Sequence, residues 1–364
     1  MQIIDTQKKL ENNIQLIDSE KIIGVDTEFV REKTYWPELS LIQIVSESLE
    51  LIIDIQSGLD LTKLWEVFRN EKILKVFHSC KQDIEAIYHL SDVIPISVYD
   101  TQIGAMFCGY NEPISYAKIV EDFLNVKLDK DLQYSEWGKR PLKKEMYEYA
   151  INDAKYLIRL QKLLEQKIGN DQKKYWLDEE FSDFNFIEEF KKRKKLKKSD
   201  LYNVENYIIE HNGQELKKFR EDVAILKNIP RKFILSDKEI HNIQKEKPND
   251  INELNYLIDS RSYIKKDKDI YKLFANLVFS TNDHTNLVNK KHKIKLTKQQ
   301  KNMIRELDFK LIETSADLQI CPYLLASKLD IKTFVQNNDA NVKFLNGWRY
   351  DAFGKLAIKS VQKP

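Results

Sequence analysis

The apolar positions of this chain change their period once, near residue 170. Before that point, apolar runs of strand length stand between turn residues: Ile22–Asp26, Leu39–Val45, Leu51–Asp54, Leu74–His78 and Val98–Asp100. The first three follow one another closely and predict an antiparallel meander. Helical periodicity then alternates with the strands, over Leu61–Phe68, Gln82–His89, Thr101–Cys108, Tyr116–Leu124 and Lys143–Gln166. This order predicts a mixed sheet flanked by helices, an α/β layer fold with some parallel pairing. Beyond residue 170 the strand patterns vanish. A helical tract, Asp171–Phe190, runs into a lysine-rich stretch, residues 191–198, read as a solvated helix end or linker. Two helical segments follow, 200–290 and 295–364. The polar stretches Asn282–Asn286 and Lys290–Lys295 between them read as loop.

A chain of 364 residues exceeds one ordinary core, so two or three domains are expected. No apolar stretch approaches the roughly 20 residues of a membrane helix, so no membrane partner is expected. The start, Met1-Gln2-Ile3-Ile4-Asp5, lacks the basic and apolar regions of a signal peptide. Cys80, Cys108 and Cys321 have no pair spacing and read as reduced thiols of a cytoplasmic protein. The net charge of +2 hides an asymmetry. Residues 1–170 hold 21 Lys and Arg against 28 Asp and Glu, which leaves 38 against 29 of the chain totals of 59 and 57 for the remainder. An acidic part joined to a basic part fits a metal site beside a module that holds a polyanion. A lysine-rich composition with many solvated side chains is the plainer alternative.

The chemistry is concentrated in Asp26-Thr27-Glu28, which closes the first strand. Side chains one residue apart on either side of a strand position share a face, so the two carboxylates crowd together. Crowded carboxylates repel unless neutralised, and hard divalent cations take carboxylate oxygen. Asp83 falls on the helix after Val76-Phe77-His78. Tyr149 and Asp153 stand at i and i+4 on Lys143–Gln166 and so share one helical face. Four acids and a tyrosine suggest a phosphodiester-cleaving site with two metals about 3.5–4 Å apart. Tyr149, with an ordinary pKa near 10, orients a water or takes its proton only beside a metal. Singly, each residue has a duller reading: a turn cap for Asp26, a helix-dipole charge for Asp83, surface positions for Tyr149 and Asp153.

In this order the motifs resemble a known family. Asp26-Thr-Glu28-Phe29, His78-Ser-Cys-Lys-Gln-Asp83 and Tyr149-Ala-Ile-Asn-Asp153 resemble the three exonuclease motifs of the tyrosine-type DEDD superfamily, and more closely those of the ribonuclease D family. Tyr35-Trp36-Pro37, Asp100-Thr101-Gln102, the Trp137/Arg140-Pro141-Leu142 stretch, Asn228-Ile229-Pro230-Arg231 and residues 347–354 are similar to further family segments. The resemblance implies an RNase H-like exonuclease domain over 1–170 and a helical linker over 171–199. Two all-α HRDC-type domains, 200–290 and 295–364, would follow. It implies a 3′→5′ exoribonuclease that releases 5′-mononucleotides with two divalent ions, Mg²⁺ or Mn²⁺. Asp26, Glu28, Asp83 and Asp153 would be the metal ligands and Tyr149 the water-positioning residue. Its partners would be tRNA precursors or other structured RNA with 3′ extensions, and the chain is expected to be a monomer. A single-stranded DNA 3′→5′ exonuclease and an inactive nucleic-acid-binding scaffold are the alternatives.

Around the acids, Phe29 either stacks on a terminal base or fills core. Gln43 bonds either a ribose or neighbouring backbone. His78 is a candidate substrate contact, but a structural role is preferred because no second His or Cys lies at ligand spacing. Asp100-Thr101 reads as a helix N-cap, not a fifth ligand. The tract Lys130–Lys144, with Tyr134, Trp137 and Pro141, is either a substrate-side loop or a plain connection. Trp348 and Arg349 read as packing, ahead of RNA contact.

Overall fold

The computed structural model describes residues 1–129, 132, 135–182, 184, 186–202, 214–288, 296–337 and 340–361, without the side chains of 283–288. Lys130, Tyr134 and Lys290–Lys295 lie outside the described residues. The chain forms two compact units. The first comprises Met1–Phe29, Leu39–Phe184 and Lys295–Pro364; the second comprises Val30–Glu38 and Asn185–Ile294.

The first unit is built on a six-stranded mixed sheet: β1 (Gln2–Ile4), β2 (Ile22–Val30), β3 (Glu38–Val45), β4 (Glu50–Asp54), β5 (Leu74–Phe77) and β6 (Val98–Asp100). Their order across the sheet is β1-β4-β3-β2-β5-β6. β3 and β4 are antiparallel, with Leu41 opposite Asp54 and Val45 opposite Glu50. β1 runs parallel to β4, β5 parallel to β2, and β6 parallel to β5. β3 is buried from Leu39 to Val45, Ser40 and Gln43 included, as expected of a mostly apolar strand covered on both faces. Helices α1 (Gln7–Asp18), α2 (Thr62–Arg69), α3 (Lys81–Ser91), α4 (Thr101–Phe107), α5 (Tyr116–Leu124), α6 (Lys144–Lys155), α7 (Leu157–Ile168) and α8 (Asp171–Ser182) complete the layers.

Several expectations are corrected. β2 continues to Val30, past the Ile22–Gly24 stretch that pairs with β5, so Asp26 and Glu28 lie within the strand, not at its end. The expected helix Lys143–Gln166 is two helices that meet at Tyr156. The Tyr116 hydroxyl accepts the Tyr156 N–H (3.1 Å) and donates to the Asn152 carbonyl (3.3 Å). It replaces the i→i−4 bond that an unbroken helix would make there. The tract Asp171–Phe190 is likewise divided, between α8 and α9 (Phe186–Lys195). β1 and α1 were not expected. β1 is three residues long and exists by pairing with β4, and Thr6 caps α1 through the Lys9 N–H.

The last stretch of the first unit is helical, with Lys298–Leu318 the longest element. Trp348 is its anchor. The indole stacks on Trp176 of α8 (ring centroids 5.1 Å apart, 22° between planes) and donates to Glu180. Gly347 is required before it: φ is +54°, and a Cβ there would meet the Glu179 Oε1 that accepts the Trp348 N–H. Arg349 bonds Glu180 and the Leu324 carbonyl, so both residues are packing residues.

The second unit buries Phe219, Val223, Ile240, Leu254 and Phe274 together with Tyr35 and Trp36. Arg193 departs from the solvated reading of its lysine-rich run. Its guanidinium lies over the rings of Trp36 (5.7 Å) and Phe190 (4.8 Å) and donates to the Tyr35 hydroxyl. Asn282–Asn286, expected as loop, belong to the helix Lys268–Val288. The buried stripe of Ile270, Phe274, Leu277 and Val278 stabilises that helix beyond what its Asn and Thr residues favour locally. Among the described residues, no helix is long and apolar enough to cross a membrane.

Candidate active site

Asp26, Glu28 and Asp153 bring three carboxylate oxygens within 4.8 Å of one another. Two come from β2 and one from α6, so a helix must lie close on the strand. Gly24 permits this. A Cβ on Gly24 would stand 2.7 Å from Val45 Cγ2, 3.1 Å from Leu157 Cβ and 3.2 Å from the Ala154 carbonyl oxygen. Gly24 and Asp26 share a face, and Ala154 follows Asp153, so the missing side chain seats Asp153 beside Asp26. Sequence reasoning had overlooked this residue. Its signal is a glycine inside the apolar run Ile22–Val25.

Asp83 enters from another direction. β5 is in register with β2 at Gly24↔Val76, and a tight turn at Ser79 (φ 60°) follows and starts α3. Asp100 stabilises that turn: its carboxylate accepts the N–H groups of Ser79 (2.9 Å) and Cys80 (2.9 Å) and that of Gln102 (2.8 Å), at the N-cap of α4. Asp83 is 7% exposed and accepts a hydrogen bond from Thr27 Oγ1 (2.5 Å). It stands outside the tight trio, yet its charge is the largest acidic influence on Asp26.

The electrostatics are those of a site that needs cations. Burial first, then Asp83, Asp153 and Glu28, holds the Asp26 carboxyl well above its ordinary range. Glu28 is pushed up to about 9 by burial and by Asp153 and Asp83. Burial raises Asp83 to about 7 against the opposing Thr27 bond, and Asp153 to about 6 against the bond from Tyr149. Crowded carboxylate oxygens, all held above their ordinary range for want of a counter-charge, form a donor set that suits hard divalent cations.

Tyr149 donates to Asp153 one helical turn away, and burial and that carboxylate raise its pKa far above the usual tyrosine value. Its hydroxyl therefore stays protonated and acts as a donor. Trp137, 2% exposed, lies against the Tyr149 ring (6.1 Å, 37°). The Trp137 carbonyl accepts from Ser40 Oγ (2.6 Å) and from Arg140 (2.9 Å). Arg140 in turn forks onto Asp54, Nε and Nη2 each 2.7 Å from a carboxylate oxygen. This bracket ties residues 137–140 to the sheet. In the sequence Arg140 stands only within a motif and Asp54 only at a strand end, and nothing local joins the two across 86 positions.

The remaining candidates divide. His78 has both ring nitrogens engaged within the fold, Nδ1 with Thr101 Oγ1 (2.9 Å) and Nε2 with the Ile114 carbonyl (3.0 Å). Gln43 does not satisfy neighbouring backbone: its amide is fully buried, and neither polar atom has a hydrogen-bond partner. It shares the face of Val45, which meets Gly24, and so lies on the side of the sheet that carries the acids. Phe29 is half-buried.

Residues 1–169 match a family model described as 3′-5′ exonuclease. Over 379 aligned residues the chain is 31% identical to ribonuclease D of Bartonella henselae, covering all of this chain and 90% of that one. It is 31% identical to ribonuclease D of Zymomonas mobilis, covering 93% of this chain and 88% of the relative. The fold is similar to that of Escherichia coli RNase D, with a TM-score of 0.76 at 21% identity over 99% of this chain and 98% of that one.

Proposed function

The chain belongs to the ribonuclease D family of 3′→5′ exoribonucleases, and on that basis we propose how its own residues remove nucleotides from an RNA 3′ end. Asp26, Glu28, Asp83 and Asp153 would hold two divalent cations, Mg²⁺ or Mn²⁺. Such ions supply relief of phosphate charge, a more acidic water and stabilisation of the leaving oxygen. Water adds to the phosphorus of the terminal nucleotide, the bond from phosphorus to the neighbouring ribose 3′-oxygen breaks, and a 5′-mononucleotide leaves. Tyr149 directs its hydroxyl at the attacking water, with Asp153 and Trp137 fixing the ring. Phe29 and the uncommitted amide of Gln43 are the groups we assign to the terminal nucleotide.

We take residues 1–170 as the catalytic domain, 171–199 as a helical connection, and 200–290 and 295–364 as HRDC-type modules. The excess of Lys and Arg after residue 170 suits a sequence-tolerant grip on phosphates. The substrates we assign are tRNA precursors and other structured RNAs with 3′ extensions, acted on by a monomer. Three free cysteines support a reducing, cytoplasmic setting.

The observation that carries this reading is the trio of carboxylates within 4.8 Å, with Tyr149 bonded to one of them. The test is a time course on end-labelled RNA with and without chelator, for the native protein and Asp26→Asn. The native protein should release mononucleotides only with metal, and the variant should bind RNA and release none. Normal turnover by Asp26→Asn refutes the assignment.

A further inference from the structure

The second unit holds a cavity of about 820 Å³ with no part in the acid cluster. It lies between the helix Asp237–Glu246, the turn Arg231–Ile234 and the segment after the helix Ile251–Leu257. Its lining includes Lys232, Phe233, Lys238, Tyr256, Arg261 and Lys266.

The two acids of this lining are already used. Glu239 accepts from the N–H and hydroxyl of Ser236 (2.6 Å each), from Ser262 Oγ (2.6 Å) and from the Asp259 N–H (2.9 Å). Asp259 takes the fork of Arg261, at 3.1 and 3.0 Å. Lys232, Lys238 and Lys266 have no carboxylate within 4.0 Å among the described residues. The cavity therefore presents an unbalanced positive charge. It also presents aromatic faces that no core contact explains: Tyr256 is 90% exposed and Phe233 46%. Lys232 Nζ lies 5.3 Å from the Phe233 ring centroid, so charge and ring occur together.

We propose that this groove is a holding site for single-stranded RNA, with bases stacked on Tyr256 and Phe233 and phosphates on Lys232, Lys238 and Lys266. Stacking accepts any base, because every base has a π face, and lysines take phosphates without reading sequence. The proposal rests on the exoribonuclease reading for the identity of the strand, and names where a long strand is gripped away from its reacting end. A peptide would need apolar pockets or unpaired acceptors, and the two acids here are spent.

The test measures binding of a labelled 20-nucleotide oligouridylate to the full chain in chelator, so that the strand is not consumed. Tyr256→Ala should weaken binding about five-fold or more, in the range expected for one lost base stack, and Tyr256→Phe should bind like the native protein. Lys232→Ala with Lys266→Ala should lower the slope of log affinity against log salt by about 1.4, at about 0.7 per phosphate. Melting curves check that both variants fold. Native affinity and native slope in folded variants overturn the proposal and leave the groove to a peptide partner. Metal-dependent turnover of a trinucleotide by the native protein reports separately on the hydrolytic reading.

Discussion

Replacing Asp83 by Asn should stabilise the metal-free protein while abolishing its activity. Asp83 is 7% exposed and carries a carboxyl raised to about 7, chiefly by burial, with Thr27 opposing and Asp100 reinforcing the rise. In an unfolded chain an aspartate titrates near 3.9, so the gap is roughly three units, or about 4 kcal/mol at about 1.36 kcal/mol per unit. Because neighbouring acids share protons, about 2–4 kcal/mol is the expected range. The sign follows from proton counts. Between about pH 4 and about pH 7 the folded state binds a proton that the unfolded state has lost, so metal-free stability falls as pH rises through that window, then levels off. Asparagine cannot ionise, and its side-chain oxygen still accepts from Thr27. Urea unfolding in chelator should give nearly matching midpoints for the two proteins at about pH 3.5, below the unfolded-state titration, and a higher midpoint for Asp83→Asn at about pH 8. Adding Mg²⁺ should raise the native midpoint more than that of the variant. A variant no more stable than the native protein at pH 8 in chelator would show that Asp83 is not under electrostatic strain, and the argument for a cation-demanding cluster would fail.

Tyr149→Phe should lower kcat by about 10²-fold or more with little change in KM for RNA, because it removes a hydroxyl and keeps the ring against Trp137. Mononucleotide release under saturating RNA checks it, and a change confined to KM would contradict a role at the attacking water. Gly24→Ala places a Cβ 2.7 Å from Val45 Cγ2 and 3.2 Å from the Ala154 oxygen, which should cost about 1–3 kcal/mol of stability and displace Asp153. Its kcat should fall, and adding Val45→Ala should restore part of it; native kcat in Gly24→Ala would show that the close approach is unnecessary. Arg140→Lys loses the two-pronged bond to Asp54, so the Trp137 bracket should loosen, with kcat falling several-fold and a lower melting temperature. Native melting and kcat would show that a single ammonium contact suffices.

What the chain itself made legible is local. Five of the six strands were readable because their apolar runs are short and bounded, and β3, buried along its length, is the plainest of them. The helical face shared by Tyr149 and Asp153 follows from the geometry of one turn, and the crowding of Asp26 with Glu28 follows from strand alternation. The tertiary structure decided whatever joins distant segments. It set Asp83 against Thr27, 56 residues away, and Arg140 against Asp54, 86 residues away. It gave Gly24 a purpose that depends on α6 lying on the sheet, and it used the Tyr116 hydroxyl to break a helix whose own periodicity runs straight on. It also left the Gln43 amide without a partner. Periodicity reports which face of an element is buried. Which side chain meets which across that face depends on packing among many segments at once, and no single window of sequence contains it.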